Sequence, residues 1–103
     1  MKKKFAFFLM GKEFDPASDR AVFETGSCIS YVYTVRDLEH AKKLAAQCAQ
    51  DGVGVIELCG AFGSEGAAQI RESAGAGVGI GYVIHDDDQD DLFRAFFAWR
   101  RLS

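Results

Sequence analysis

What this chain of 103 residues has little of narrows its possible roles first. It has no basic excess: 12 lysines and arginines stand against 15 aspartates and glutamates, for a net charge of −3. Nucleic acid and anionic membrane both call for a basic face, so neither is expected as a partner. It has no long apolar run. Lys2, Lys3 and Lys4 precede Phe5-Ala6-Phe7-Phe8-Leu9-Met10, but Gly11-Lys12-Glu13 ends that run after six residues. A secretory core is longer and a membrane span longer still, so the run reads as a first strand and the chain is expected in the cytoplasm. Cysteine is sparse as well. Cys28, Cys48 and Cys59 are odd in number and lack metal-type or redox-type spacing, which favours reduced thiols and implies neither metal nor cofactor. With no repeat, linker or low-complexity stretch, residues 1–103 are expected to form a single domain.

Strands and helices alternate along the rest. Ile29-Ser30-Tyr31-Val32-Tyr33-Thr34-Val35 is β-branched and aromatic, and reads as a strand. Asp37 then starts a helix to about Gln50, with Leu38, Ala41, Leu44, Ala45 and Cys48 on one stripe and Gly52 just past its end. Val53 to Cys59 is the next strand. Ser64 is expected to cap a helix reaching Ala74, which Gly75 stops. Val78 to Ile84 is a further strand, and Asp90 or Asp91 opens a last helix to Arg101. Residues 15–25 support two readings. Asp15-Pro16 resembles a helix start, whereas Arg20-Ala21-Val22-Phe23-Glu24-Thr25 can pair as a strand with the segment after Gly26; the strand is preferred.

This order predicts a small α/β domain with a mainly parallel sheet, built from consecutive βαβ units with their helices on one face. A ferredoxin-like α+β sandwich is the alternative. Helices on one face leave the other uncovered. The last helix bears Leu92, Phe93, Phe96, Phe97 and Trp99 around most of its circumference, broader than the stripe of a surface helix. Burial on both sides is expected, the second side being another subunit. A homo-oligomer, most simply a homodimer, is therefore the expected partner state.

The segment with the most chemistry is Val53 to Gly66: an apolar strand, a glycine loop and a helix start. Such a junction gathers free N–H groups at the positive end of a helix dipole, where open α/β sheets bind ligands. Gly60, Phe62, Gly63, Ser64 and Arg36 are the expected ligand-binding set, for a small anionic molecule. Gly60 and Gly63 are expected to need glycine, and Gly66 to tolerate alanine. Glu57, Cys59 and His85 are candidate catalytic residues. A carboxylate inside an apolar strand must be desolvated or paired, with Arg36 as one cation for it. A thiol near a helix N-terminus has a lowered pKa, although a buried structural cysteine is the commoner case. Gly75-Ala76-Gly77-Val78-Gly79-Ile80-Gly81 follows a helix and enters a strand, the reverse of a dinucleotide fingerprint, and no GKS or GKT element is present. Gly79 and Gly81 instead leave one strand face bare for something to approach.

IELCGAFG with SEGAAQI, preceded by EHAKKLAAQCAQDGV, resembles a family of uncharacterised bacterial proteins of about this length. The resemblance spans roughly residues 3–85 and implies that Glu57, Cys59, Gly60, Phe62 and Gly63 act as a unit, with no assigned activity; the aspartate run and aromatic tail look peculiar to this chain. Three functions are compatible with the sequence. A binding module for a small anion comes first, then a structural or adaptor oligomer without a pocket, then an enzyme using Glu57, Cys59 and His85.

Overall fold

The strand made first becomes the centre of the sheet. In the computed structural model, which describes residues 1–102 and the side chains through Ala98, β1 (Lys3–Met10) is flanked by β3 (Cys28–Val35) and β4 (Val55–Leu58), both parallel to it. β5 (Gly79–Tyr82) runs parallel to β4 at one edge, and β2 (Ala21–Glu24) runs antiparallel to β3 at the other. The order is β2-β3-β1-β4-β5. This is the mainly parallel α/β sheet expected, not a ferredoxin-like sandwich.

Two helices provide the crossovers, α1 (Leu38–Gln50) from β3 to β4 and α2 (Gly63–Ala74) from β4 to β5. The Asp37 carboxylate accepts the His40 N–H at 2.8 Å and caps α1. Gly52 and Gly75, each at φ +87°, take the left-handed backbone that ends α1 and α2. Residues 15–18 form one turn and not a helix. The Asp15 carboxylate accepts the Ala17 N–H and the Ser18 hydroxyl, a local closure that leaves residues 21–24 free to join β3.

Alternation divides each strand between two faces. Ala6 and Phe8 of β1, with Ile56 and Leu58 of β4, are fully buried against Ala41, Ala45 and Cys48 of α1 and Ala67, Ile70 and Ala74 of α2. The opposite face carries Phe5, Phe7, Val55, Glu57, Gly79 and Gly81, and neither α1 nor α2 covers it. Gly79 and Gly81 are the positions expected to admit a packing element; an added Cβ at Gly79 would meet Val55 Cγ2 at 3.6 Å and the Gly54 carbonyl at 3.8 Å, and one at Gly81 would meet Glu57 Cγ at 3.8 Å.

A 3₁₀ turn (Asp87–Gln89) leads into α3 (Asp90–Leu102). This helix overhangs the C-terminal edge of the sheet. Leu92, Phe96 and Phe97 are 67, 73 and 70% exposed, so the two-sided burial expected of α3 is absent within one chain. Trp99, Arg100 and Arg101 lie outside the residues whose side chains are described.

Candidate functional site

Four backbone ends converge at the C-terminal edge. β1 ends in Leu9 and Met10, β4 runs into Cys59 and Gly60, β5 into Val83 and Ile84, and α2 begins at Gly63. Between them and α3 lies a cavity of about 1040 Å³. Leu9, Met10, Cys59, Gly60 and Ala61 line it from below; Gly63 and Ser64 come from α2, Phe14 from the loop after β1, and Tyr82 to His85 from the exit of β5. Asp90, Phe93, Arg94, Phe97 and Ala98 of α3 close the remaining side. The wall is mostly hydrocarbon and aromatic, with polar groups confined to a few positions, as small-molecule sites usually are.

The turn at its base is held by the backbone. The Cys59 N–H donates to the Phe8 carbonyl at 3.0 Å and the Phe62 N–H to the Cys59 carbonyl at 3.1 Å. Gly63 stands at φ +63°, the conformation that tips the chain from the turn into α2. Phe62 occupies the N-cap position with no side-chain hydrogen bond to the helix. Ser64 is therefore a first-turn residue, not the cap expected of it. The first helical bond is from Gly66 N–H to the Phe62 carbonyl at 3.1 Å. The preceding N–H groups of Gly63, Ser64 and Glu65 have no acceptor among the described residues, as is usual for a helix start.

Several expectations about individual residues change. Gly60 does not have positive φ, and a Cβ there would lie 3.5 Å from the Val83 carbonyl, an ordinary contact. Gly66 is the tight position: its Cβ would come 3.2 Å from Phe62 Cβ and 3.8 Å from Leu38 Cδ1. Glu57 is exposed on the uncovered sheet face and does not line the cavity. It makes no ion pair among the described residues. Arg36 is exposed beyond β3, and β1 separates β3 from β4, so the two residues do not meet. Thr34, two residues before Arg36 and within β3, is buried and gives its hydroxyl to the Asp19 carbonyl at 2.7 Å.

Cys59 and His85 do share the cavity wall, but each is engaged elsewhere. Cys59 Sγ accepts the Met10 N–H at 3.4 Å. His85 Nε2 lies 2.5 Å from Asp90 Oδ1, and its ring stacks on Phe93 with centroids 3.9 Å apart. No hydrogen bond joins thiol and imidazole among the described residues. Cys59 and His85 thus share one wall, and Glu57 stands on the opposite face of the sheet. Among the described residues, no three His, Cys, Asp or Glu side chains stand close enough to hold a metal ion. Phe14, Phe93 and Arg94 are lining residues that sequence reasoning missed; the apolar stripe of α3 marked its surface, but not which part of it faces the strand ends.

No described helix is long and apolar enough to cross a membrane. No curated protein and no solved structure matches the chain. A family match extends over residues 3–98, past the residues 3–85 of the expected resemblance and into the first turns of α3. The chain belongs to the family of unknown function DUF6506.

Proposed function

We propose that this protein binds a small organic anion with an apolar body in the cavity at the C-terminal edge of its sheet. The observation that carries this reading is the position of the α2 N-terminus in the wall of that cavity. The unpaired N–H groups and dipole of the helix start favour negative charge, and Arg94 adds a cation. Leu9, Met10, Phe14, Phe93 and Phe97 supply surface for the apolar body. The test is a thermal-shift panel pairing arylalkyl carboxylates and phosphates with the corresponding alcohols. The anions should raise the melting temperature and the alcohols should not, and Val83→Trp, which fills the cavity, should abolish the response. Equal stabilisation by alcohols and anions, or none by either, overturns the reading.

Self-association through α3 is the second reading, favoured by the exposure of Leu92, Phe96 and Phe97. Monomeric soluble proteins seldom leave so much contiguous apolar surface in water. Light scattering at micromolar concentration should give a dimer or a larger species of the 11.3 kDa chain, and Phe96→Asp should give monomer. A stable wild-type monomer refutes it. The enzyme reading has less support, because Glu57 lies apart from Cys59 and His85.

A further inference from the structure

The chain leaves two surfaces with apolar groups uncovered, one on α3 and one on the sheet. One is convex: the α3 stripe of Leu92, Phe96 and Phe97. The other is recessed: on the uncovered sheet face, Gly79 and Gly81 of the edge strand β5 form a low shelf beside the shoulder made by Val55 and Phe7. An added Cβ at either glycine would meet nothing closer than 3.6 Å. Backbone is the floor of the shelf, and the Val55 and Glu57 side chains flank it at ordinary contact distance. A helix bearing large aromatic rings fits a sheet closely where the strand has no side chains.

We infer that α3 of one copy lies on the Gly79–Gly81 shelf of a second copy, and that the contact is reciprocal. This rests on the self-association reading above and names the surface that receives the helix. The chain's own α3 does not fill the shelf, because His85 holds it elsewhere. The His85 ring stacks on Phe93 and its Nε2 meets Asp90, which fixes the start of the helix at the C-terminal edge of its own sheet. The occupant is therefore a second chain.

Area and charge agree with this. The exposed parts of the three α3 side chains offer on the order of 400 Å², from about 150–250 Å² for a whole aromatic side chain. Two helices on two matching shelves bury roughly 1,600 Å², the size of a standard stable interface. The shelf also carries a carboxylate, Glu57, exposed and without an ion pair among the described residues. At 100° per residue, Arg94 flanks the aromatic stripe of α3; its pairing with Asp91 at 3.4 Å is exposed and weak, so the partner's carboxylate at the shelf can compete for the guanidinium.

The test uses the full chain in sedimentation or light-scattering experiments, with circular dichroism to check each variant's fold. Val55→Asp on the shoulder and Phe96→Asp on the helix should each weaken the dimer by at least about 30-fold. An equimolar mixture of the two should form a heterodimer tighter than either homodimer, because one intact helix still meets one intact shelf. Glu57→Arg, a change at an exposed position, should weaken the dimer about 10-fold and decides the matter if Val55→Asp does not fold. Suppose Phe96→Asp is monomeric while Val55→Asp and Glu57→Arg dimerise like wild type. The helices then meet each other, and the shelf is overturned while self-association stands. A mixture that forms no heterodimer overturns the reciprocal contact. A monomeric wild-type protein overturns both readings.

Discussion

His85 and Phe93 stack face to face, their rings 9° from parallel and 3.9 Å apart, while the same imidazole meets Asp90 at 2.5 Å. Two contacts one helical turn apart, made by one side chain just after β5, fix both the position and the direction of α3. Removing the ring should free the helix without touching the core. His85→Ala is expected to cost about 1–2 kcal/mol locally, from one aromatic pair and one hydrogen bond. Amide exchange across residues 90–98 should then accelerate while β1 and β4 stay protected. Equal protection of α3 in both proteins would show that other contacts hold it.

The three glycines of the turn should separate under alanine substitution. Gly63, at φ +63°, should lose roughly 1–2 kcal/mol, because a Cβ is strained there. Gly66 gains about 1 kcal/mol of helix propensity, but its Cβ meets buried Phe62 at 3.2 Å, and overpacking of about 1–3 kcal/mol should outweigh the gain. Gly60 should change by less than about 0.5 kcal/mol, as an unstrained surface position does. Urea unfolding of the three variants gives the order. Gly60 as the most sensitive of the three would contradict this account of the turn.

Burial pushes the Cys48 thiol up to about 11, with the nearby Asp51 charge adding to it. Burial likewise raises the Tyr33 hydroxyl. An unfolded thiol ionises near its ordinary value of 9.0, so between about pH 9 and 11 the unfolded chain releases a proton that the native state keeps. Native stability is full below that window and falls as pH rises through it. The loss should be roughly 1–2 kcal/mol from Cys48, and Cys48→Ala should flatten the slope, leaving a smaller one from Tyr33. Stability that is constant with pH from 8 to 11 would refute the assignment.

Thr34 ties the loop before β2 to the end of β3 through its bond to the Asp19 carbonyl, 2.7 Å long. Thr34→Val keeps the shape and removes the donor, and should cost about 1 kcal/mol. Thr34→Ser should recover most of it. Identical melting temperatures for the two variants would mean that the hydroxyl contributes nothing.

Most of the scaffold was legible because its signals are local. Asp37 caps where its spacing from the apolar stripe places it, and Gly52 and Gly75 end helices where left-handed backbone is needed. β1, β3, β4 and β5 show as apolar runs since parallel strands shed polar residues. The Asp15-Pro16 signal was ambiguous because the same side-chain chemistry closes a single turn or opens a helix, and only pairing with β3 decides between them. The site was legible in place but not in membership. Alternation puts Glu57 with Val55 on one face, yet nothing local says which face α1 and α2 will cover, and Glu57 fell on the bare one. Arg36 was misplaced because strand order is a long-range property: β1 stands between it and the Gly60 turn.

The central position of β1 has a consequence for how the chain is made. Its first eight-residue strand leaves the ribosome before either of the strands that it pairs with. Its parallel partner β3 is complete only at Val35, and β4 only at Leu58. The β2–β3 hairpin is the first strand pair whose register is complete, at Val32. Until Leu58 has been synthesised, β1 keeps at least one hydrogen-bonding edge without its partner, which is the condition under which nascent sheets aggregate. The lysines at positions 2, 3 and 4 stand at the start of that strand, where like charge on neighbouring nascent chains opposes their pairing with one another.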